Sequence, residues 1–513
     1  MRLSRRNLLK GWASLAATRI VLPVGLTGCS SARPLAALLR SEVPLPPEFQ
    51  VELPILPVLK AHSNAGDADR YELSAKETKI EILPGLKTTI WGYDGRFPGP
   101  TIEAWSGRKT VVTLHNELPV PIVNHLHGGR TPCDSDGYPT DIVHPKENWT
   151  PVHMHDPRAK TAAVVRDYVY PNQQRAATLW YHDHRMDFTG PQMWRGLAGM
   201  YILRDDEDDR LPLPKGDKDV SLMICDRSFG KDGSFLYPSL DPSLRQVPGV
   251  SHSYMGGVLG DVILVNGAPW PRFEVATTAY RVRILNACNA RHLELSLDPA
   301  PKDGPAFVQI GSDGGLLASP VQHKTLPIAP AERFDLILDF SRYPLGSKVV
   351  LRNKESDGPA GAVMRFDVAR QEKSESNIPK RLAQFNRLDR RDAVITRFFD
   401  FSYEGMKRGW LINGRPFDPA RMDAQPKLGS TEIWRLRSDM HHPLHIHLAH
   451  FQVLTHAGHP RSYDSGWKDT IDMVAGETAE VLVRFEGYRG RYVFHCHNLE
   501  HEDMAMMGNF EVV

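Results

Sequence analysis

Near its C-terminus the chain carries a cysteine between two histidines, His495-Cys496-His497. His501 and Met506 follow within the next ten residues. A thiolate, two imidazoles and a distant thioether form the ligand set of a blue electron-transfer copper, and soft sulfur ligands disfavour metals that prefer carboxylates. The segment therefore predicts that Cys496, His501 and Met506 supply three of the four ligands of such a site.

The two histidines beside Cys496 predict a second metal site. In an extended strand successive side chains point to opposite faces, so His495 and His497 face away from the side that Cys496 faces. One strand can then hold one copper on one face and further copper through the other. The backbone between Cys496 and either histidine is a short covalent route for electrons.

Three more histidine clusters lie upstream of this strand. In chain order they are His125-x-His127, His182-x-His184 and His442-x-x-His445-x-His447. Alternation along a strand places both histidines of an H-x-H pair on one face. Four such pairs, contributed by two domains, can converge on one group of metal ions.

An internal repeat indicates the domains that position these clusters. Three strand-like segments each lead to a histidine motif: 111–116 to His125-Leu126-His127, 281–286 to His292-Leu293-Glu294, and 433–436 to His445-Ile446-His447. Three copies predict three related β domains. The middle copy has Glu294 where the others have a second histidine, so the middle domain is expected to bind no copper itself.

Composition agrees with this organisation and excludes other classes. The 513 residues carry 62 Lys+Arg against 61 Asp+Glu, a balance that argues against a nucleic-acid partner. Forty glycines and forty prolines favour many short strands and turns over long helices. The length fits three domains of about 150 residues, and no segment beyond the N-terminus has about 18 uninterrupted apolar residues that would span a membrane.

The expected domain bounds are 61–209, 210–374 and 375–513, preceded by a proline-rich extended segment at 31–60. The boundaries fall in the charged stretches 205–210 and 370–376, which are not expected to contribute to a core. Each unit then has a size suited to a Greek-key sandwich or barrel.

The N-terminus predicts export. Residues 4–10 read Ser-Arg-Arg-Asn-Leu-Leu-Lys, a twin-arginine sequence followed by a mildly apolar run that Arg19 interrupts. Residues 1–30 are therefore expected to be a Tat-type signal for the periplasm or the extracellular space. Leu26-Thr27-Gly28-Cys29 resembles a lipobox, with Cys29 as a lipid anchor. A small-residue cleavage site with an incidental cysteine is the open alternative.

The cysteine count leaves room for at most one disulfide. The chain has five cysteines; lipid on Cys29 and copper on Cys496 would leave Cys133, Cys225 and Cys288. A bridge between Cys225 and Cys288 and a pair of buried free thiols are both open.

Taken together, the motifs resemble those of multicopper oxidases, most closely the branch with bacterial spore-coat laccases and bilirubin oxidases. The likeness covers nearly all of the mature chain and includes Trp91-Gly92-Tyr93, Phe97-Pro98-Gly99-Pro100-Thr101, residues 179–184 (LWYHDH) and residues 193–199 (MWRGLAG). The resemblance implies an all-β fold of three consecutive cupredoxin-like Greek-key β-barrel domains.

The resemblance also implies a ligand set for four copper ions, complete in this sequence. The type 1 copper would be bound by His442, Cys496, His501 and the axial Met506; the type 2 copper by His125 and His445; the type 3 pair by His127, His182, His184, His447, His495 and His497. Asp136 and Glu502 match acids that assist proton supply, and His501 matches the point where electrons enter. The other histidines of the last domain, His441, His450, His456 and His459, are expected to be supporting or surface residues.

The expected function is oxidation of phenols, aminophenols or bilirubin-like pigments coupled to reduction of dioxygen to water. The expected partners are a small electron donor and dioxygen, and the chain is expected to be a monomer. Two alternatives stay open: a metallo-oxidase of Cu(I), Mn(II) or Fe(II), and an exported structural protein on a cupredoxin scaffold. A plain electron-transfer cupredoxin would leave eight histidines without a purpose.

Overall fold

The computed structural model describes residues 34–62, 66–147, 156–373 and 377–513. In these ranges nearly all regular structure is β-strand, and the α-helices are α1 (Thr189–Arg195), α2 (Asp206–Asp209) and α3 (Leu499–Asp503). The all-β prediction is confirmed. None of the described helices is long and apolar enough to cross a membrane. The predicted signal at 1–30, with Cys29, lies outside the described residues.

The first unit consists of two four-stranded sheets, ordered β3-β2-β5-β7 and β4-β9-β8-β6. A short strand, β1 (Ala37–Leu38), precedes it. Its own strands are β2 (Ala68–Glu81), β3 (Lys87–Tyr93), β4 (Gly99–Trp105), β5 (Lys109–Asn116), β6 (Asn124–His127), β7 (Val165–Tyr170), β8 (Ala177–Asp183) and β9 (Ala198–Arg204). Every residue of β8 is buried, which explains its almost continuous apolar and aromatic sequence.

The middle unit has a seven-stranded sheet, β13-β12-β10-β15-β20-β17-β18, and a five-stranded sheet, β14-β22-β21-β16-β19. Its strands are β10 (Asp219–Arg227), β11 (Val258–Leu259), β12 (Val262–Val265), β13 (Ala268–Pro269), β14 (Arg272–Ala276), β15 (Ala279–Asn286), β16 (Leu293–Asp298), β17 (Phe307–Ser312), β18 (Gly315–His323), β19 (Leu326–Ile328), β20 (Arg333–Asp339), β21 (Lys348–Asn353) and β22 (Ala362–Arg370).

The last unit has sheets ordered β24-β23-β25-β29-β27 and β28-β26-β30-β31. Its strands are β23 (Ala393–Tyr403), β24 (Trp410–Ile412), β25 (Thr431–Ser438), β26 (His442–Ile446), β27 (His450–His456), β28 (Thr470–Met473), β29 (Thr478–Arg484), β30 (Gly490–Cys496) and β31 (Met507–Val512). The strands β26 and β30 carry most of the histidines of this unit.

The repeat in the sequence is a repeat of strand topology. In each unit the leading long strand pairs in parallel with a later one: β2 with β5, β10 with β15, and β23 with β25. That partner then pairs antiparallel with β7, β20 and β29 in turn. The histidine motifs follow the same strand in every copy, so the fold places them in equivalent positions.

The proline-rich segment forms a strap over the middle unit. The strand β1 pairs in parallel with β11, and the Ser41 side chain and backbone amide both donate to the Asp261 carboxylate at 2.6 and 2.7 Å. Leu53 is buried where the strap continues.

The expectation that the charged stretch 205–210 lies outside the protein interior is wrong for Asp208. Asp208, in the charged stretch 205–210, is buried and forms an ion pair with Arg281 at 2.8 Å. A charged residue enters the interior here because the middle unit supplies a buried guanidinium to meet it. The second stretch, 370–376, is described only as far as residue 373.

The structure resolves the open cysteine question. Cys133, Cys225, Cys288 and Cys496 are all free thiols. Cys225 and Cys288 are buried in the middle unit, where burial raises the pKa of both thiols.

Candidate metal centre

Four side chains of the last unit form a group that we call the cysteine cluster: His442, Cys496, His501 and Met506. The Nδ1 atoms of His442 and His501 are 3.0 Å apart, and the Cys496 Sγ atom lies 3.4 and 3.6 Å from them. His442 begins β26, Cys496 ends β30 and His501 lies in α3, so three elements converge on one point. The side chains of His442, Cys496 and His501 are buried, which excludes bulk water from their donor atoms.

Met506 is held beside this point by backbone hydrogen bonds. Its amide donates to the His501 carbonyl at 3.0 Å, and its carbonyl accepts from the Cys496 amide at 3.1 Å. The Met506 side chain is fully buried in the same apolar cluster as Cys496. In addition, the Asn498 amide donates to the Cys496 sulfur at 3.4 Å, which stabilises negative charge on that sulfur.

Eight further histidines form a second buried group, the histidine cluster. It contains three sets whose donor nitrogens lie within 4.8 Å of one another: His125 with His127 and His445, His127 with His182 and His497, and His184 with His447 and His495. Strand pairing brings the histidines of each unit together, β6 with β8 and β26 with β30, and each set then combines histidines of the first unit with histidines of the last. His125 lies opposite His182 in the first pair, and His445 lies opposite His495 in the second.

Cys496 joins the two clusters. It lies between His495 and His497, which belong to two different sets of the histidine cluster, while its own sulfur points into the cysteine cluster. Alternation along β30 produces this split, as the sequence predicted.

Main-chain carbonyls fix several of the histidine rings. The Nδ1 atoms of His125, His182, His445 and His495 donate to the carbonyls of Asp136, Asp183, Asp469 and Cys496 at 2.5, 2.9, 2.9 and 3.1 Å. A ring whose Nδ1 carries the proton presents an unprotonated Nε2 to the interior, which is the form that binds a metal. Burial lowers the pKa of His125 and His182 and so keeps both rings neutral.

Asp136 contacts the histidine cluster from the first unit. Its Oδ2 lies 2.7 Å from His447 Nδ1, and its Oδ1 accepts from the Thr131 hydroxyl at 3.3 Å. Burial raises the pKa of Asp136 well above its ordinary value. Asp136 is fully buried.

Glu502 contacts the histidine cluster from the last unit. Its two oxygens lie 3.4 Å from His184 Nδ1 and 3.1 Å from His495 Nδ1, and Oε1 also accepts from the Thr189 hydroxyl at 2.7 Å. Burial alone would raise the pKa of Glu502, but the imidazoles of His184 and His495 outweigh it and hold the pKa below its ordinary value. Glu502 therefore stays ionised where Asp136 tends to keep its proton.

His501 is not open to solvent. It is 1% exposed, and the Trp410 indole stacks on its imidazole with ring centroids 3.6 Å apart. A donor molecule reaches His501 only through the groups that cover it.

The sequence analysis missed two residues that organise the histidine cluster. Asp469 Oδ1 lies 3.1 Å from His127 Nε2, and Arg333 holds the same carboxylate at 2.5 and 2.7 Å. Arg333 comes from the middle unit and also donates from Nε to the Thr178 carbonyl of β8 at 2.9 Å. No local pattern marks the contacts of either residue with the cluster, because Arg333 and Asp469 are 136 positions apart and His127 and Asp469 are 342 positions apart.

The turn after His127 is shaped around this pair. Gly128 has φ +83, and a Cβ there would stand 2.5 Å from an Arg333 nitrogen and 2.8 Å from an Asp469 oxygen. The Gly128 carbonyl accepts from His450 Nε2 at 2.9 Å. His450 is therefore a supporting residue, whereas His441 is half exposed.

The donor set fits copper. Imidazole nitrogens with one thiolate and one thioether suit copper better than they suit magnesium, calcium or manganese. Several buried ring nitrogens, among them His127 Nδ1, His182 Nε2 and His497 Nε2, have no hydrogen-bond partner among the described residues. Unpaired buried polar atoms are costly, and a bound metal satisfies them.

Comparisons with known proteins agree with this chemistry. Models of the multicopper oxidase family match residues 74–208 and 387–513. The chain is 37% identical to a laccase of Bacillus subtilis over 91% of its own length and 98% of the relative. It is 34% identical to a bilirubin oxidase of Albifimbria verrucaria, over 90% and 81% of the two chains.

Among solved structures, a laccase from Pediococcus acidilactici superposes with a TM-score of 0.79 at 30% identity, over 93% of this chain and 96% of that one. The match supports the cupredoxin-like architecture that the sheets show. The chain therefore belongs to the multicopper oxidase family, the copper-dependent oxidoreductases that use dioxygen as electron acceptor.

Proposed function

We propose that this protein is an oxidase of the laccase or bilirubin oxidase type. It takes single electrons from phenols, aminophenols or tetrapyrrole pigments and reduces dioxygen to water. The observation that carries the proposal is the junction at β30, where Cys496 belongs to one buried cluster and its two neighbours to another. A protein that only bound or carried copper would not need the second cluster.

The proposed copper content is four ions. The cysteine cluster holds a type 1 copper, and the histidine cluster holds a type 2 copper at His125 and His445. The two remaining sets, His127 with His182 and His497, and His184 with His447 and His495, hold the type 3 pair. When bound, copper supplies the one-electron steps and the reduction of dioxygen.

The protein contributes neutral ligands, a dry interior and protons. Reduction of one dioxygen to two waters consumes four electrons and four protons, so groups that hold protons beside the histidine cluster are required. Asp136 suits the role of proton donor, because burial raises its pKa and it contacts His447 directly. Glu502 suits a different role: as an ionised carboxylate within 3.4 Å of His184 and 3.1 Å of His495 it offers a site to which a proton can be relayed.

Electron entry is proposed at His501 through Trp410. The indole stacks on the imidazole with an interplanar angle of 26°, and both rings are buried. An organic donor bound at the protein surface would then pass its electron to the type 1 site through these two rings without touching copper.

The features at the N-terminus complete the proposal. The twin-arginine segment at 1–30 would direct the chain to the periplasm or the extracellular space, with Cys29 as a lipid anchor. The domain bounds 61–209, 210–374 and 375–513 are retained, and the enzyme is proposed to act as a monomer because both clusters are built from a single chain.

The test is an optical spectrum of the copper-loaded protein followed by dioxygen uptake with a phenol and with bilirubin. An intense visible band and a near-ultraviolet shoulder, with uptake on an organic donor, are expected. The Cys496→Ser variant should lose the visible band and the uptake, whereas Cys225→Ser, which alters a buried thiol away from both clusters, should keep them. A colourless protein that consumes no dioxygen would favour an exported structural scaffold instead.

A further inference from the structure

An exposed apolar group lies on the sheet of the last unit that contains β23. Val394, Ile395 and Phe398, all from the first half of this strand, are 70%, 46% and 49% exposed. Leu428 is also exposed and comes three residues before β25, the strand that pairs with β23. We call these four residues the β23 patch. Large apolar side chains are often exposed singly, whereas a group of them marks a site that binds another protein or a membrane.

The fold leaves this part of β23 uncovered. Val394 and Phe398 point to the outer face of the sheet, whereas Phe399 and Phe401 are buried in the core of the unit. The strand β24 pairs only with the end of β23, at 401–403, so no other described strand lies beside the first half of β23 on that side. The β23 patch is therefore accessible to a partner without any rearrangement of the sheet.

Arginines adjoin the β23 patch on the same face. Arg435 is the cross-strand partner of Phe398, and the Arg437 guanidinium lies 5.8 Å from the centre of the Phe398 ring. Glu480 pairs with Arg435 at 2.7 Å and with Arg390 at 2.5 Å. One carboxylate thus meets two guanidinium groups, which leaves an excess of positive charge beside the apolar side chains.

The charge that faces solvent on this surface is positive. The side chains of Arg390, Arg435 and Arg437 are 52%, 47% and 58% exposed, whereas those of their partners Glu480 and Asp400 are 13% and 19% exposed. The guanidinium groups cover the carboxylates with which they pair. A negatively charged surface that approaches the β23 patch therefore meets the guanidinium groups first.

Apolar side chains among exposed arginines match the surface of an anionic lipid bilayer. The apolar side chains enter the boundary between headgroups and acyl chains, and the cationic side chains are attracted to anionic lipid. The planar guanidinium group also binds phosphate through two parallel hydrogen bonds. A second copy of this chain fits less well, because a two-fold contact would place the β23 patch and its arginines against the same arginines of the other copy.

We propose that the β23 patch docks the last unit on a bilayer that contains anionic phospholipid. Val394 and Phe398 enter the headgroup layer, and Arg435 and Arg437 bind lipid phosphates. This contact is peripheral and separate from the lipid anchor proposed at Cys29. It does not rest on the proposed oxidase function.

The first measurement is cosedimentation of the copper-loaded protein with lipid vesicles. The protein carries Cys29→Ser, so that no attached lipid contributes to binding. One set of vesicles consists of phosphatidylcholine, and the other contains phosphatidylcholine and phosphatidylglycerol in equal amounts. Binding is expected to the phosphatidylglycerol vesicles, and it should weaken as salt is added because salt screens the attraction between exposed charges.

The second measurement compares variants on the phosphatidylglycerol vesicles. Phe398→Ser should lower the partition coefficient at least about tenfold, which is the contribution of one buried phenylalanine side chain. Arg437→Gln should lower it about fivefold, as expected for one cationic side chain near an anionic surface. The matched control is Leu345→Ser, because Leu345 is 56% exposed but lies in the middle unit. The control should bind as the parent protein does, and all three variants should keep the type 1 absorption band.

Each outcome has a distinct meaning. Equal binding of the parent protein and Phe398→Ser overturns the proposal, and so does equal binding to the two kinds of vesicle. A concentration-dependent dimer in light scattering that Phe398→Ser abolishes, with no binding to vesicles, would assign the β23 patch to a second copy and also overturn the proposal. Vesicle binding is measured without an electron donor, so a failure of the oxidase assignment leaves this test unchanged.

Discussion

Replacing Arg333 by methionine is expected to weaken copper binding in the histidine cluster although Arg333 touches no copper ligand. Its guanidinium holds the Asp469 carboxylate at 2.5 and 2.7 Å, and both side chains are buried. Asp469 in turn contacts His127 Nε2, and its carbonyl accepts from His445 Nδ1. The substitution leaves the buried Asp469 carboxylate without its counter-charge beside the two ligand rings that Asp469 contacts, those of His127 and His445.

The expected size of the effect follows from two general magnitudes. Breaking a buried ion pair by removing one partner costs about 3–5 kcal/mol. Loss of a group that orients a metal ligand lowers metal affinity by about 10- to 100-fold. Arg333→Met should therefore lower the free energy of unfolding and also lose copper selectively from the histidine cluster. Arg333→Lys keeps the charge but not the paired contact, and should recover only part of the loss.

The assay combines copper stoichiometry, the type 2 signal in electron paramagnetic resonance, and the type 1 absorption band. The type 2 signal should fall in Arg333→Met while the type 1 band persists. The control is Arg281→Met, which removes a buried arginine of the same unit whose partners are Asp208 and Asp335 at 2.8 and 2.5 Å. Equal loss of type 2 copper in both variants, or full retention in Arg333→Met, would refute the reasoning.

Four other outcomes are expected. Glu502→Gln should lower the turnover number at least about 100-fold, while anaerobic reduction of the type 1 copper by a phenol, followed by stopped flow, keeps its rate. Met506→Leu should retain the blue band and raise the type 1 reduction potential in a redox titration. Burial raises the pKa of the Glu500 carboxyl from 4.5 to about 7. Its contribution to the free energy of unfolding is therefore complete below pH 4.5, and about 3 kcal/mol is lost as the pH rises to 7. Glu500→Gln should flatten this pH dependence, measured by unfolding in guanidinium. Finally, peptide mapping after alkylation without reductant should find Cys225 and Cys288 as free thiols, and a recovered disulfide would contradict the structure.

Local pattern was enough to predict the fold class and the groups of histidines. Alternation along a strand has a fixed period of two, so the opposite orientations of Cys496 and its neighbours His495 and His497 follow from the sequence alone. The threefold repeat was likewise visible because each copy keeps a strand followed by a histidine motif. Which histidines share a set was not readable from local pattern, since every set combines histidines of the first unit with histidines of the last.

Long-range partners could not be predicted in the same way. Arg333 and Asp469 are 136 positions apart, and Asp208 and Arg281 are charged residues whose burial only the docking of units explains. A single sequence carries no signal for such pairs, because an exposed and a buried arginine look alike until the partner is placed. The burial of His501 under Trp410 belongs to the same class of result.

The middle unit, which was expected to bind no copper itself, contacts one short strand of the last unit at both ends. Arg333 forms a salt bridge with Asp469 directly before β28, and His292 contacts Asp472 near the end of that strand. In β28, Thr470 pairs with His445 and Met473 pairs with His442, so the same strand sets the positions of one ligand of each copper cluster. A slip of one residue would turn every side chain of β28 to the other face. Contacts at both ends of β28 therefore fix its register against β26, which carries ligands of both clusters. The middle unit thus contributes no histidine to either copper cluster, but its charged groups align the two sites that its neighbours build.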